Sequence, residues 1–408
     1  MIYSFLCFFS KLFFNLSSRP ASFDLKTSPV VLRKSTASKS FSFSGSKKES
    51  SSVAVTSNAP VDLPICFIAS TPVGIDPCRK PAVLEKTKTF LVNSGAEAVE
   101  NAIKIARYAT GKEKIIAFKG GFHGRTYLAM GLTGKEKPYK EGFGPFPKFI
   151  THVDYPYHYR DISDEKVLKQ IENTLLKKLD PNNVAAIVIE IQLGEGGYIP
   201  ATEKFLKQLR KVAEQHNILL IFDEVQTGFG RTGEMFGADK INVQPDMVTL
   251  AKGIGGGFPL AAVVGKAEIM DSVHDAGIGS TFGASPISCA AALGVLDVFD
   301  KDSLLEKVNK QTKIMDKSLG NINDNFDFVG DVRGYGIMKG VEIVESKDNK
   351  IPSKDLAMRI INNSKKNGLL LVNCGKEGNV IRFMGPLTTP LTQIREAMEM
   401  FNQALEKV

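Results

Sequence analysis

The stretch Ile218-Leu-Leu-Ile-Phe222, which runs directly into Asp223-Glu-Val-Gln-Thr-Gly228, decides the fold of this chain. Five apolar residues in a row predict a strand that is buried on both faces, as in the interior of a parallel sheet. A carboxylate at the C-terminal end of such a strand lies where open α/β sheets place their ligands. Asp223 is therefore the first candidate site residue.

A single lysine follows within Ala251-Lys252-Gly-Ile-Gly-Gly-Gly257. We expect a lysine in such a glycine-rich loop to be partly desolvated and unobstructed by neighbouring side chains. Desolvation lowers the pKa of a lysine, and a neutral amine can form a Schiff base. A buried carboxylate and a nucleophilic lysine are what pyridoxal phosphate requires, one for its ring nitrogen and one for its aldehyde.

Two simpler interpretations compete for the acidic pair. In the first, Asp223 caps a turn and Glu224 is solvated. In the second, the apolar run and the acidic pair form the Mg²⁺-binding strand of an ATPase. That second reading requires a G-x-x-x-x-G-K-[S/T] loop upstream. The candidates Gly131–Glu136 and Thr110–Glu113 have the wrong spacing and no hydroxyl after the lysine, which excludes an ATPase.

Small residues upstream predict a phosphate site. Asn93-Ser-Gly-Ala-Glu97 leads from a strand into a strong helical pattern. Backbone N–H groups at such a helix N-terminus, together with its dipole, bind phosphate. Ser94 and Glu97 equally match a capping box, a role compatible with phosphate binding.

Two further segments supply candidates. In Gly120–Thr126, Phe122 can stack on a planar ring and Arg125 offers a fork for a carboxylate, although a core phenylalanine and a surface arginine are simpler interpretations. Ser280-Thr281-Phe282-Gly283 adds a hydroxyl.

The chain resembles the class III pyridoxal-phosphate aminotransferases of fold type I in six motifs that follow one another in the same order. These motifs are NSGAEA, FHGR, E-x-x-x-G-E-G-G, DEVQTGFGRTG, AKG-x-GGG and S-T-F-G-x-x-P. The similarity runs from about residue 86 to the C-terminus. It is greatest to 4-aminobutyrate aminotransferases, through Leu132–Lys135, Phe143–Pro147 and Tyr159-Arg160. Six ordered blocks are more specific than any single motif.

The resemblance implies roles for the cofactor-binding residues. Lys252 would anchor the cofactor and shuttle a proton, and Asp223 would keep its ring nitrogen protonated. The remaining contacts would be Val225 beneath the ring, Phe122 and His123 opposite it, Gln226 at its phenolic oxygen, Gly95 and Ala96 at its phosphate, and Thr281 reaching that phosphate from the partner of a homodimer.

The resemblance also implies substrate contacts. Arg125 would hold a carboxylate, and Arg382 would bind the α-carboxylate of glutamate or 2-oxoglutarate. Glu195 would pair with Arg382 when an ω-amino substrate is bound, and Glu190 is assigned to the same pocket.

Two features depart from the family pattern. Glu190-Ile-Gln-Leu-Gly-Glu195 lacks the usual proline and has its glutamine shifted by one position. Residues 1–82 match none of the segment that in the family forms part of one pocket wall.

That N-terminal segment has an unusual composition. Residues 1–60 contain eight basic and two acidic residues, so they carry +6 of the net +8 of the chain. The remaining residues are nearly neutral, and a nucleic-acid partner is unsupported. The apolar run Phe5–Phe14 is too short to span a membrane. This composition is typical of an organelle transit peptide, which would place the enzyme in a mitochondrion or plastid. It is equally typical of a misjoined stretch, in which case we expect a cytoplasmic enzyme. In both cases we expect the segment to be disordered.

Alternating strands and helices between residues 88 and 300 predict an α/β fold with a mostly parallel seven-stranded-type sheet sandwiched by helices. We expect a large cofactor-binding domain over 83–302 and a smaller α+β domain over 303–408. Five scattered cysteines without a C-x-x-C spacing indicate neither a metal site nor a disulfide framework.

Three classes of function stay open at this level. The first is an aminotransferase that moves an amino group from an ω-amino acid to 2-oxoglutarate, with 4-aminobutyrate preferred over ornithine or acetylornithine. The second is an amino-acid racemase or epimerase of the same fold. The third is an inactive relic that lacks the N-terminal pocket wall.

Overall fold

The computed structural model of the chain describes residues 86–408. Its largest sheet has seven strands. In chain order they are β1 (Thr87–Val92), β2 (Lys114–Phe118), β3 (Ile150–Val153), β4 (Val184–Ile189), β5 (Leu219–Asp223), β6 (Met247–Leu250) and β7 (Ala261–Lys266).

The strands are ordered β1-β7-β6-β5-β4-β2-β3 across this sheet. Strands β3, β2, β4, β5 and β6 pair in parallel, whereas β7 runs antiparallel to both of its neighbours. The mostly parallel sheet predicted from the sequence is thus confirmed. Except for β7, all strands end at the same edge, and the segments that carry the predicted site residues follow there.

Helices cover both faces of this sheet. The helices of this part of the chain are α1 (Gly95–Thr110), α2 (Tyr127–Leu132), α3 (Asp164–Thr174), α4 (Glu203–Gln215), α5 (Gly237–Ile241), α6 (Ala267–Met270) and α7 (Pro286–Lys301). Along β5, Leu220 and Phe222 pack into the core beneath α3 and α4, and Ile221 packs into the core beneath α1. The apolar run is therefore buried on both faces.

A second sheet follows in the chain. It consists of β8 (Val329–Arg333), β9 (Lys339–Ile343), β10 (Val372–Cys374) and β11 (Val380–Phe383), in the antiparallel order β10-β11-β9-β8. Helices α8 (Leu304–Asn325), α9 (Lys354–Lys366) and α10 (Leu391–Leu405) share its apolar core.

Apolar runs in the sequence predict strands at 88–92, 115–118, 185–191, 218–223, 247–251, 261–264, 340–343 and 380–383, but none of these runs covers β3, β8 or β10. Each lies at the edge of its sheet and has a single neighbouring strand. Edge strands are short and carry polar residues, so their apolar pattern is weak. Helical periodicity in the sequence predicts a helix only over residues 303–318, but α8 continues to Asn325, because Leu319 and Ile322 are buried in the second core.

Two predictions are left without a test. The disorder expected for residues 1–82 concerns a segment outside the described residues, and the domain boundary at residue 303 stays a prediction. Within residues 86–408, no helix is both long and apolar enough to cross a membrane.

Candidate functional site

A cavity of about 440 Å³ lies at the C-terminal edge of the seven-stranded sheet. Most of the predicted site residues line this one cavity: Gly95, Ala96, Phe122, His123, Glu190, Glu195, Asp223, Val225, Gln226 and Lys252. They come from five separate chain segments, each placed after the end of a strand. Arg125, Thr281 and Arg382 are not among the lining residues.

Asp223 ends β5 and is held by three hydrogen bonds. Its Oδ1 accepts from the Thr249 hydroxyl at 2.9 Å and from the Val225 backbone N–H at 3.1 Å. Its Oδ2 lies 2.7 Å from His123 Nδ1, and both side chains are buried. Burial disfavours the charged imidazole of His123, but the bond to Asp223 and the charges of Asp223 and Glu190 outweigh it and raise the pKa. The carboxylate is thus oriented before any ligand binds.

Lys252 follows β6 at the same edge. Burial lowers the pKa of its amine, against the opposing charges of Asp223 and Glu190. Its side chain lines the cavity and keeps solvent-accessible surface, while the surrounding protein atoms partly desolvate the amine. Its backbone has φ +44°, a left-handed conformation that is strained for a residue with a β-carbon. The sequence argument for a desolvated lysine therefore agrees with this environment.

The N-terminus of α1 faces the same cavity. Ser94 caps the helix by accepting from the Glu97 backbone N–H at 3.2 Å, which confirms the predicted cap. The Glu97 carboxylate accepts from the Asn93 backbone N–H at 3.1 Å. Asn93, Ser94, Gly95 and Ala96, at the start of the helix, all line the cavity.

Gln226 and Gly194 are in direct contact. A β-carbon at Gly194 would overlap Gln226 Oε1, so the Gln226 side chain would have to move for any other residue to fit there. The Glu190 carboxylate accepts from the backbone N–H groups of Gly194 and Phe122, both at 2.8 Å. Burial raises the pKa of Glu190 to about 7, and the Asp223 charge adds to this. Glu190 thus connects two cavity-lining loops through these hydrogen bonds.

Glu195 and Arg382 form an ion pair in the cavity wall. Glu195 Oε1 and Arg382 Nη1 are 2.5 Å apart, and both side chains are mostly buried. Burial alone would raise the pKa of Glu195, but the pair with Arg382 lowers it. The backbone of this turn is fixed, because Gly375 donates to Glu195 O at 3.0 Å and Arg333 donates to Gly197 O at 2.7 Å. Only the Glu195 side chain is left to move.

Tyr139 lies beside the Glu195–Arg382 pair, and the sequence analysis missed it. Its hydroxyl donates to Glu195 Oε2 at 2.7 Å. Its ring lies 4.8 Å from the Phe122 ring and 4.8 Å from the Arg125 guanidinium carbon. The segment around Tyr139 has no strand or helix periodicity that would mark it.

Two of the predicted site residues, Arg125 and Thr281, lie outside the cavity lining. Arg125 is exposed beside the Phe122 and Tyr139 rings. Thr281 lies in an exposed turn. Gln192, whose position departs from the family pattern, is fully buried and bonds to the Met338 carbonyl and the Tyr335 backbone N–H. Gln192 therefore ties the turn that carries Glu195 to the segment around Tyr335 and Met338.

Glu224 corrects one interpretation of the sequence. The structural alternative had this residue solvated, but its side chain is fully buried. It accepts from the backbone N–H of Ala238 at 2.9 Å and from that of Gly237, and so binds the N-terminus of α5. Burial raises its pKa to about 7. Glu224 is thus a structural carboxylate next to Asp223.

Comparison with known proteins agrees with this site. The model of the family Aminotransferase class-III matches residues 79–405 of this chain. The 5-aminovalerate aminotransferase DavT of Pseudomonas aeruginosa is 43% identical over 321 residues, covering 79% of this chain and 75% of that protein. The 4-aminobutyrate aminotransferase GabT of Escherichia coli is 42% identical over 320 residues, covering 78% and 75%.

Solved structures share the fold. An aminotransferase of Bacillus anthracis matches with a TM-score of 0.75 and 29% identity, covering 79% of this chain and 77% of that one. An amine transaminase from an uncultivated Pseudomonas species, crystallised in its PLP-bound form, matches with a TM-score of 0.74 and 29% identity, covering 78% and 77%. The chain therefore belongs to the class III aminotransferases of fold type I, which are pyridoxal-phosphate-dependent transaminases.

Proposed function

We propose that the enzyme transfers the amino group of an ω-amino acid, with 4-aminobutyrate as the main donor, to 2-oxoglutarate. The products are succinate semialdehyde and glutamate. The observation that carries the proposal is the Glu195–Arg382 pair in the cavity wall. An arginine neutralised from within the protein suits a donor with a single carboxylate, whereas a released arginine suits a dicarboxylate.

The donor groups around the cavity fit pyridoxal phosphate. Lys252, with its lowered pKa, would hold the cofactor covalently, and Asp223, already oriented by His123 and Thr249, would pair with the ring nitrogen. Gly95 and Ala96 would bind the phosphate through backbone N–H groups at the start of α1. Phe122, Val225 and Gln226 would contact the ring.

When bound, the cofactor supplies an aldehyde that takes up the amino group and a ring that accepts electron density from the substrate carbon. The chain supplies the proton transfers. Lys252 Nζ would take a proton from the amine-bearing carbon of the donor and would deliver one to the corresponding carbon of the acceptor. The lowered pKa favours the neutral amine, which is the form that can act as that base.

The two substrates place different demands on one pocket. 4-Aminobutyrate has one carboxylate, distant from its amine, whereas glutamate has a second carboxylate beside the amine. Arg125 would hold the distal carboxylate of both. Arg382 would be free for glutamate and paired with Glu195 for 4-aminobutyrate, since a buried arginine without a partner is costly.

A donor panel tests the proposal. Production of glutamate from 2-oxoglutarate is measured with 4-aminobutyrate, 5-aminovalerate and ornithine, and Lys252→Ala provides the inactive control. We expect kcat/KM to be highest for 4-aminobutyrate. A higher value for 5-aminovalerate would reassign the donor, in line with the name of one relative. No glutamate from any ω-amino acid, or loss of optical purity in an amino acid without 2-oxoglutarate, would overturn the proposal.

We also propose that the enzyme is a homodimer. Four large apolar side chains between residues 258 and 293 are exposed in the single chain: Phe258 at 52%, Phe282 at 76%, Ile287 at 67% and Leu293 at 46%. We assign them to the dimer interface, because extended exposed apolar surface marks protein interfaces. Phe258 lines the cavity and Phe282 adjoins Thr281, so a partner on this face would carry its own Thr281 towards the site.

Sedimentation of Ile287→Glu against the wild type tests the dimer. We expect the variant to be monomeric and to bind the cofactor more weakly, whereas Leu176→Glu, at an exposed leucine on another part of the chain, should stay dimeric. A monomeric wild type would refute the proposal. The cytoplasmic location stays a prediction, and fractionation of cells that express the full chain would test it against a mitochondrion or plastid.

A further inference from the structure

Tyr139 contacts both Glu195 and Arg125, two of the residues that we expect to bind substrate. Its hydroxyl donates to Glu195 Oε2 at 2.7 Å, on the carboxylate whose other oxygen pairs with Arg382. Its ring contacts Arg125, the arginine expected to hold the distal carboxylate. The ring and the hydroxyl of one residue therefore meet the two groups that separate a monocarboxylate from a dicarboxylate.

The position of Tyr139 is set by a rigid approach of its loop to the sheet. Gly134 donates through its backbone N–H to Gly121 O at 2.8 Å, and a β-carbon at Gly134 would overlap the Phe118 carbonyl at the end of β2. The Tyr139 ring then packs on Phe122 at a ring-centroid distance of 4.8 Å. The hydroxyl is thus aimed at Glu195 by packing.

The bond favours one state of Glu195. Burial and the bond to Glu195 raise the pKa of Tyr139 to about 12, so its hydroxyl stays a donor throughout the working range of pH. A neutral donor to a carboxylate stabilises the geometry in which both are close, and that geometry is the one paired with Arg382. Moving Glu195 away from Arg382 breaks the bond to Tyr139 as well.

We propose that Tyr139 is a positioning residue that sets the preference between ω-amino acids and dicarboxylates by holding Glu195 against Arg382. This inference rests on the proposed function, because it assumes that the freed Arg382 binds a second carboxylate. Removing the hydroxyl would make Glu195 easier to displace. Dicarboxylates would then bind more tightly, and ω-amino acids would lose part of their advantage.

Calorimetric titration of Tyr139→Phe tests the inference without turnover. The enzyme loaded with pyridoxal phosphate is titrated with 2-oxoglutarate and with pentanoate, a monocarboxylate of the same chain length. We expect the dissociation constant of 2-oxoglutarate to fall about tenfold, as suits the loss of one hydrogen bond to a charged group, and that of pentanoate to stay unchanged. In half-reaction kinetics, the ratio of the 4-aminobutyrate to the glutamate rate should fall.

The phenylalanine variant keeps the ring and hence its packing on Phe122 and Arg125. Tyr127→Phe is the matched control, because Tyr127 is exposed and its hydroxyl donates to the Pro145 carbonyl rather than to Glu195. Equal changes for both ligands, no change for either, or weaker binding of 2-oxoglutarate would overturn the role of Tyr139. If the wild type fails to use ω-amino acids while Tyr139→Phe still binds 2-oxoglutarate more tightly, the proposed function fails and the role of Tyr139 stands.

Discussion

Glu195 and Arg382 are 187 positions apart in the chain, yet their side chains meet at 2.5 Å inside the cavity wall. Glu195 lies in the turn after β4, and Arg382 belongs to β11 of the second sheet. Their side chains are only 19% and 13% exposed, so the pair differs from a surface ion pair, which contributes about 0–1 kcal/mol. Breaking it leaves a charge without a partner in a partly dry site.

Glu195→Gln should separate the two half-reactions. Without the carboxylate, Arg382 is left without its partner whenever the donor has a single carboxylate. We expect the single-turnover rate with 4-aminobutyrate to fall by about tenfold or more, and the rate with glutamate to change much less. Glu165→Gln, which breaks an exposed pair with Lys204, should change neither rate. Equal losses in both half-reactions would contradict the switch.

Borohydride reduction of the loaded enzyme should fix a pyridoxyl group on Lys252. The lowered pKa of this lysine makes it a better nucleophile than an ordinary surface lysine. Burial lowers the pKa of Lys135 as well, so Lys135 is the competing candidate. Peptide mapping therefore compares wild type, Lys252→Ala and Lys135→Met. We expect the label to persist in Lys135→Met and to vanish in Lys252→Ala, which should bind the cofactor weakly and show no turnover. A label on any other lysine would refute the assignment.

Asp223→Asn should lose several orders of magnitude in kcat with the fold intact. The amide removes the negative charge that raises the pKa of His123 and that would stabilise a protonated ring nitrogen. Thr249→Val removes only one bond to Oδ1, so we expect a loss of about tenfold. Steady-state rates with circular dichroism as a folding check decide the outcome. Near-normal activity of Asp223→Asn would show that the ring nitrogen does not need this carboxylate.

Glu224→Gln should change how stability depends on pH. The pKa of Glu224 is about 7 in the folded protein, above its usual 4.5. Between these values the folded chain binds more protons than the unfolded one, so this group's contribution to stability is full below about pH 4.5 and is lost as the pH rises to about 7. In Glu224→Gln, the free energy of unfolding should therefore fall less steeply between about pH 4.5 and pH 7, by on the order of 3 kcal/mol over this range.

Urea unfolding midpoints between pH 4.5 and 7.5 provide the measurement. The slope against pH is the readout, because the amide also loses an acceptor for Gly237 or Ala238. Glu306→Gln, at an exposed position on α8, should keep the wild-type slope. Parallel curves for wild type and Glu224→Gln would show that the buried carboxylate titrates normally.

The helices and interior strands follow from local pattern. The apolar run ending at Asp223 predicts a buried strand because both of its faces need apolar cover, and β5 has that cover. The edge strands β3, β8 and β10 escape such reasoning, since a strand with one neighbour needs little apolar pattern. Their pairing depends on the partner strand, which lies elsewhere in the chain.

The sequence by itself determined the cavity-lining motifs around Asp223, Lys252 and the start of α1, because each is a local signal at the end of a strand. Only the tertiary structure decided that Tyr139 bonds to Glu195, that Thr249 bonds to Asp223 and that Glu224 is buried. The physical reason is the same in each case. These contacts are set by strand register and by loop packing between segments far apart in the chain, and no local spacing encodes which distant group a polar side chain will meet.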